Sequence, residues 1–102
     1  NDRYELLAVT ACPTGIAHTY MAAEKLASEA RKRGINIKIE TNGSSGIADV
    51  LTEEEIRSAR AVILAADTKI DTDRFEGKKV VRASSAEGIY SPGKLIDMAL
   101  EN

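Results

Sequence analysis

Two apolar stretches, Tyr4 to Val9 (with Leu6-Leu7-Ala8-Val9 adjacent) and the continuous run Ala61 to Ala66, constrain this chain more than any other feature. A strand that buries one face alternates apolar and polar residues, whereas a strand covered on both faces does not. Two such stretches predict the middle of a sheet with helices on either side. Between them the pattern changes twice. From Ala17 to Arg33 the residues Ala22, Ala23, Leu26, Ala27 and Ala30 recur at helical steps, Glu29 sits four residues before Arg33, and Gly34 supplies a stop. Ile35, Ile37 and Ile39 then alternate with Asn36, Lys38 and Glu40, the period of a half-exposed edge strand.

Thr41-Asn42-Gly43-Ser44-Ser45-Gly46 has the composition of a loop. Thr52 and Glu55 are spaced as a capping box and open a short helix through Ser58. Lys78 to Arg82 reads as a fourth strand, and Ser91-Pro92 as the N-cap and first residue of a last helix carrying Leu95, Ile96, Met98, Ala99 and Leu100. Strands alternating with helices pair in parallel through right-handed crossovers. The expected fold is a three-layer α/β domain: a four-stranded parallel sheet of order 2-1-3-4 with helices on both faces. Its switch point lies between strands one and three, where such sheets bind ligands beyond the strands' carboxyl ends. The loops starting at Thr10, Thr41 and Asp67 should therefore converge.

With 102 residues, 43% apolar, residues 1–102 are expected to form one domain. No apolar run approaches the ~20 residues of a membrane span. A formal charge of −2 with scattered lysines argues against a nucleic-acid surface. The start, Asn1-Asp2-Arg3, lacks both a signal peptide and an initiator Met, which suggests a piece of a larger multidomain protein. Cys12 is the only cysteine and His18 the only histidine, so an internal disulfide is excluded and a Cys/His zinc site would be short of donors. Neither a metal nor a cofactor is expected. Asp71-Thr72-Asp73 begins like a calcium loop, but Phe75 occupies the next ligand position.

Chemistry concentrates in Thr10-Ala11-Cys12-Pro13-Thr14-Gly15-Ile16-Ala17-His18-Thr19, which leaves a buried strand and enters a helix. The amides of a first helical turn and the positive end of the helix dipole favour a thiolate, and the same donors hold an oxyanion such as phosphate. Gly15 permits a tight turn, and Thr10, Thr14 and Thr19 offer hydroxyls. This pattern suits a sulfur nucleophile that accepts a phosphoryl group and keeps it cradled. A lone cysteine is more often a small buried hydrophobe, but the position before a Gly-containing turn and a helix start reverses that preference. His18 reads equally as a surface residue of the first turn or as a group orienting the phosphoryl. Low-molecular-weight tyrosine phosphatases place an arginine six residues after their cysteine. His18 stands there in this chain, and one imidazole cannot match a bidentate guanidinium grip. Asp67 ends the third strand where receiver domains carry a phosphoacceptor, yet the acidic residues a receiver needs after strand one are missing. It reads as a turn residue or a support for the loop.

The stretch Val9-Thr10-Ala11-Cys12-Pro13-Thr14-Gly15-Ile16-Ala17-His18-Thr19-Tyr20-Met21-Ala22-Ala23-Glu24 resembles the signature of fructose-type enzyme IIB, the B component of the bacterial phosphoenolpyruvate-dependent sugar phosphotransferase system. Glu40-Thr41-Asn42-Gly43-Ser44, Ala65-Ala66-Asp67 and Arg74-Phe75-Glu76-Gly77-Lys78 agree with it, so the resemblance runs from about Tyr4 to Leu100. One departure is Asn42, where the family pattern has Gln.

The resemblance implies that Cys12 takes a phosphoryl group from a phosphohistidine on enzyme IIA, as a phosphocysteine, and passes it to a sugar held by the membrane enzyme IIC. The loop of Pro13, Thr14, Gly15, Ile16, Ala17, His18 and Thr19 would bind the phosphoryl, with Thr10 and Asp67 in support. The domain would be a monomer in the cytoplasm at the inner face of the membrane, excised from or part of a larger multidomain sugar permease, with fructose, mannose or a related hexose as substrate. Two other readings of the residues stay open. A monothiol redox protein would use the same cysteine, although Gly15 occupies the place where a second one usually stands. A regulatory module would bind an anion in the loop only as a signal.

Overall fold

The computed structural model describes residues 4–12, 17–44 and 46–101. The first apolar stretch forms strand β1 (Leu6–Ala11), buried along its whole length. It is flanked in parallel by β2 (Ile37–Gly43) and β4 (Ala61–Ala66), and β5 (Lys79–Ala83) continues the parallel set beyond β4. Strand β3 (Gly46–Ala48) folds back antiparallel onto β2. The order is β3-β2-β1-β4-β5.

Alternation along the central strands divides the core in two. Leu6, Ala8, Ile63 and Ala65 face a cluster built on α1 (Ala17–Lys32), α3 (Ser85–Tyr90) and α4 (Pro92–Leu100). Leu7, Val9, Val62 and Leu64 face Ile56 of α2 (Glu53–Ser58) and Phe75 of the 3-10 turn Asp73–Phe75. Two-sided burial explains why β1 and β4 carry no polar alternation.

The expected parallel order 2-1-3-4 is present as β2-β1-β4-β5, but the sheet has five strands rather than four and is mixed rather than all parallel. The isoleucine-rich strand is therefore not an edge. The cause is local: Thr41, Asn42 and Gly43, expected in a loop, keep pairing as β2, and Gly46 turns the chain back against Gly43. Gly46 has φ +128°, a conformation that glycine adopts at no steric cost. Its Ser-Gly and Asn-Gly pairs mark a hairpin as readily as a loop.

The Thr52/Glu55 capping box is formed, with Glu55 N–H donating to Thr52 Oγ1 at 3.1 Å and Thr52 N–H to Glu55 Oε1 at 2.9 Å. Ser91 occupies the N-cap of α4, but its side chain makes no capping hydrogen bond; Pro92 is the first helical residue, as expected. Helix α3 is an addition to the expected elements. Ser84 and Glu87 form its own capping box, and its six residues are too few for an apolar period to show.

Gly88 lets α3 lie directly on α1 and β4. A Cβ there would stand 3.0 Å from Ala65 Cβ and 3.1 Å from Ala22 Cβ. Both neighbours are fully buried and stubby, so neither can swing aside. Gly88→Val is expected to cost about 2–3 kcal/mol through overpacking, measured by urea unfolding; a neutral result would mean that α3 shifts freely.

Candidate active site

The parallel register sets Ala11 level with Asn42 on one side and Ala66 on the other. The chain leaves β1, β2 and β4 at one end of the sheet, so Cys12, Ser44 and Asp67 follow those strands at the same end. This is the convergence expected at the switch point, although Thr10 and Thr41 belong to the strands rather than to the loops.

Cys12 lies just past β1, is 7% exposed, and faces the opening turn of α1. The Thr19 hydroxyl donates to Cys12 Sγ at 3.2 Å, and Thr19 is fully buried. Ala17 and His18, in the same turn, are exposed. Pro13, Thr14, Gly15 and Ile16 lie outside the described residues.

Thr10 shares the face of Leu6 and Ala8 by strand alternation, on the α1 side of β1. It is fully buried, and its Oγ1 has no hydrogen-bond partner among the described residues. Asn42 Nδ2 donates to the Thr10 carbonyl across the β1–β2 pair at 3.4 Å, a long bond.

Asp67 serves as a bracket. Its N–H donates to the carbonyl of Ala11, immediately before the cysteine, at 3.1 Å. Its carboxylate accepts the Ser85 N–H at 2.9 Å and the Ser85 hydroxyl in a short bond. The Ser85 hydroxyl and amide hold the Asp67 carboxyl below the ordinary aspartate range, against partial burial and with a smaller electrostatic contribution from His18. Asp67 therefore ties the start of α3 to the cysteine strand, and α3 in turn seats α1 through Gly88 and Ala22. The Ser84/Glu87 capping-box spacing is the sequence signal that points to α3, and with it to Ser85 as the first helical residue.

Glu40 also departs from the expectation of the sequence. The alternation of β2 places it on a solvent face, yet it is 3% exposed. The 3-10 turn and the segment before α2 cover it: Arg74 donates to both carboxylate oxygens, at 2.9 and 2.7 Å, and Leu51 N–H donates to Oε1 at 2.9 Å. Burial pushes the Glu40 carboxyl up. The Arg74 guanidinium, the Leu51 amide and the Asn42 side chain together outweigh that and hold it below the ordinary range.

These features define a doubly wound α/β domain with a cysteine at the strand-to-helix turn beside its switch point. Comparison with known proteins fixes the family. Residues 7–98 match the family model "PTS system, Lactose/Cellobiose specific IIB subunit". The chain is 52% identical over 96 residues to the fructose-specific EIIABC component of Bacillus subtilis, covering 94% of this chain and 15% of that protein. It is 48% identical over 86 residues to the fructose-like EIIB component 2 of Escherichia coli, covering 83% of this chain and 81% of that one. A solved domain of the fructose-specific IIABC component of Borrelia burgdorferi superposes with a TM-score of 0.91 at 49% identity, over 96% of this chain and 94% of that one. A domain of fruA from Bacillus subtilis gives 0.90 at 50% identity, over 94% and 92%. The chain belongs to the IIB family of the sugar phosphotransferase system, a family of phosphotransferases, and the relatives named above are described as fructose-specific or fructose-like. It spans 15% and 16% of the length of the first two multicomponent relatives.

Proposed function

We propose that this domain carries a phosphoryl group from enzyme IIA to a sugar bound by enzyme IIC, as a phosphocysteine at Cys12. The observation that carries the reading is the seat of Cys12: past the central strand, at the start of α1, with a buried hydroxyl donating to its sulfur at 3.2 Å. A donor aimed at sulfur favours its anion, the nucleophilic form.

In the first step a lone pair on Sγ attacks phosphorus; the S–P bond forms, the P–N bond of the donor phosphohistidine breaks, and its electron pair stays on the ring nitrogen. In the second step the sugar hydroxyl oxygen attacks; the O–P bond forms, the S–P bond breaks, and the pair returns to sulfur. The hydroxyl proton passes to a base at the acceptor's own site. Residues 13–18 supply the phosphoryl cradle in this reading, with Ala17 and His18 at its exposed rim, and no metal or cofactor takes part.

Fructose is the proposed sugar, following the names of the relatives. The matching segment occurs both within multicomponent relatives and as most of a short one, which supports a domain that works with IIA and IIC in either arrangement. Among the described residues no helix is long and apolar enough to cross a membrane. We place the domain in the cytoplasm at the membrane's inner face, where IIC would present the sugar. Tyr20 and Met21 on α1, and Ile47 on β3 level with Asn42, are large exposed apolar side chains near this end. They suit a small, transient docking rim shared by both partners.

Thr10 is assigned a supporting role because its buried hydroxyl has no partner among the described residues, and a buried polar group kept unsatisfied is costly. Thr10→Val is expected to stabilise the fold by about 1 kcal/mol and to slow transfer several-fold. Thermal melts and transfer rates on the same samples check both halves, and unchanged transfer would remove Thr10 from the site.

The function itself is tested by loading the protein with labelled phosphoryl from phosphorylated IIA and adding membrane vesicles that contain IIC and fructose. Label should leave the protein and appear on the sugar. Label that stays on the protein, or leaves only as inorganic phosphate, would contradict the reading.

A further inference from the structure

Thr10, Thr14 and Thr19 look alike in sequence as hydroxyl donors to a bound phosphoryl group. The structure separates Thr19 from Thr10: the Thr19 hydroxyl has a target, and that target is the sulfur, whereas Thr10 Oγ1 has no partner among the described residues. Resting on the phosphocysteine reading above, we propose that Thr19 acts on Sγ and not on the phosphoryl oxygens, stabilising the cysteine as the leaving group of the second transfer.

Thr19 is fully buried on the third residue of α1, and the helix is anchored one turn later. Ala22 is fully buried against the place of Gly88, and Leu26 is fully buried in the same cluster. The donor is thus held in place before any charge develops, the condition under which a hydrogen bond contributes most to a reaction. How much it contributes depends on the charge at sulfur. A thiolate accepts strongly, while a neutral sulfur is a weak acceptor. When the S–P bond forms, charge moves to the phosphoryl oxygens and the Thr19 bond weakens. When the S–P bond breaks and the electron pair returns to Sγ, the bond strengthens as the transition state is approached. Such an interaction is worth more in the transition state than in the phosphocysteine, so it speeds cleavage.

The two roles predict opposite results. If Thr19 held phosphoryl oxygens, removing its hydroxyl would destabilise the phosphocysteine and shorten its life. If it serves the sulfur, the phosphocysteine lives longer. Thr19→Val keeps the shape and deletes the donor, and Thr19→Ser restores it.

The experiment has two arms. Iodoacetamide alkylation is followed against pH for wild type, Thr19→Val and Thr19→Ser. The wild-type inflection should fall below about 8.5, the ordinary thiol value; the valine variant should inflect about one unit higher, the worth of a charge-assisted hydrogen bond, and serine should return it. In the second arm each protein is loaded from phosphorylated IIA, separated from it, and chased with vesicles carrying IIC and fructose. The phosphocysteine half-life should be about ten-fold longer in the valine variant, as one pKa unit corresponds to one decade. Unchanged alkylation profiles together with an equal or shorter half-life would overturn the proposal. Circular dichroism monitors folding, and if Thr19→Val does not fold, Thr19→Ala takes its place in both arms. A wild-type protein that accepts no phosphoryl would defeat the phosphocysteine reading instead, while the alkylation arm would still decide whether Thr19 acts on sulfur.

Discussion

Replacing Arg74 by alanine is expected to destabilise the domain by about 3 kcal/mol, the lower end of the cost of breaking a buried ion pair. The lower end applies because the Arg74 side chain is one third exposed, at 33%, while that of Glu40 is 4% exposed. The variant leaves Glu40 accepting from Leu51 with both guanidinium bonds gone and little water to replace them. It also removes the guanidinium from the Phe75 ring, 4.7 Å from its centroid, and so loosens the 3-10 turn from the core.

The pH dependence follows from the same pair. Glu40 in the folded protein is held below its unfolded value, so its contribution to stability is present above about pH 4.3 and is lost as pH falls through the folded value. In Arg74→Ala burial acts on Glu40 with less opposition, and acid should relieve that variant more than it relieves the wild type. Urea unfolding at pH 7 and near pH 4 should show the gap between the two proteins narrowing in acid. A loss below about 1 kcal/mol at pH 7 would place the pair with ordinary surface salt bridges. Adding Glu40→Leu to Arg74→Ala should recover much of the loss, because no unpaired charge remains buried.

Cys12→Ser is expected to lower phosphoryl transfer to fructose by about a thousand-fold or more, roughly 4 kcal/mol of barrier. A serine hydroxyl is almost wholly protonated at neutral pH, and an alkoxide is a far poorer leaving group than a thiolate. Both transfers therefore suffer, and a phosphoserine that did form would stay. The substitution is small enough for the fold to persist, which thermal melting checks. Transfer within ten-fold of wild type would mean that Cys12 is not the carrier and would favour a loop that binds an anion only as a signal. Wild-type protein that reduced glutathione mixed disulfides and transferred no phosphoryl would favour a thiol redox role.

Much of what the sequence revealed has a local cause. Leu6 to Val9 and Ala61 to Ala66 announced central strands because burial on both faces removes polar alternation. Thr52 and Glu55 announced a helix start because the capping box is a contact three residues apart. The nearness of Cys12 and Thr19 was foreshadowed because the end of β1 and the first turn of α1 lie only a few residues apart in the chain. What stayed hidden at Glu40 and Asp67 depends on residues far apart in the chain, whereas the β2–β3 hairpin and the Ser84/Glu87 cap are local signals that the expected elements did not include. Nothing near Glu40 indicates that Arg74 will cover it, so its strand read as half-exposed. Nothing near Asp67 points to Ser85, and α3 is held by the close approach of Gly88 to Ala22 and Ala65 more than by its own pattern. The hydroxyl of Thr19 was legible as a donor, whereas its target was visible only once α1 was laid against the end of β1.

The proposed function requires a phosphoryl group to rest on the sulfur of Cys12. Incubating the protein with phosphorylated IIA and locating the added mass by peptide fragmentation tests it directly, with Cys12→Ser as control. One phosphoryl on the peptide containing Cys12, absent from the control and removed by fructose with IIC vesicles, is the predicted result. An unmodified Cys12 peptide, or a phosphoryl found on His18 or Asp67 in its place, would contradict it.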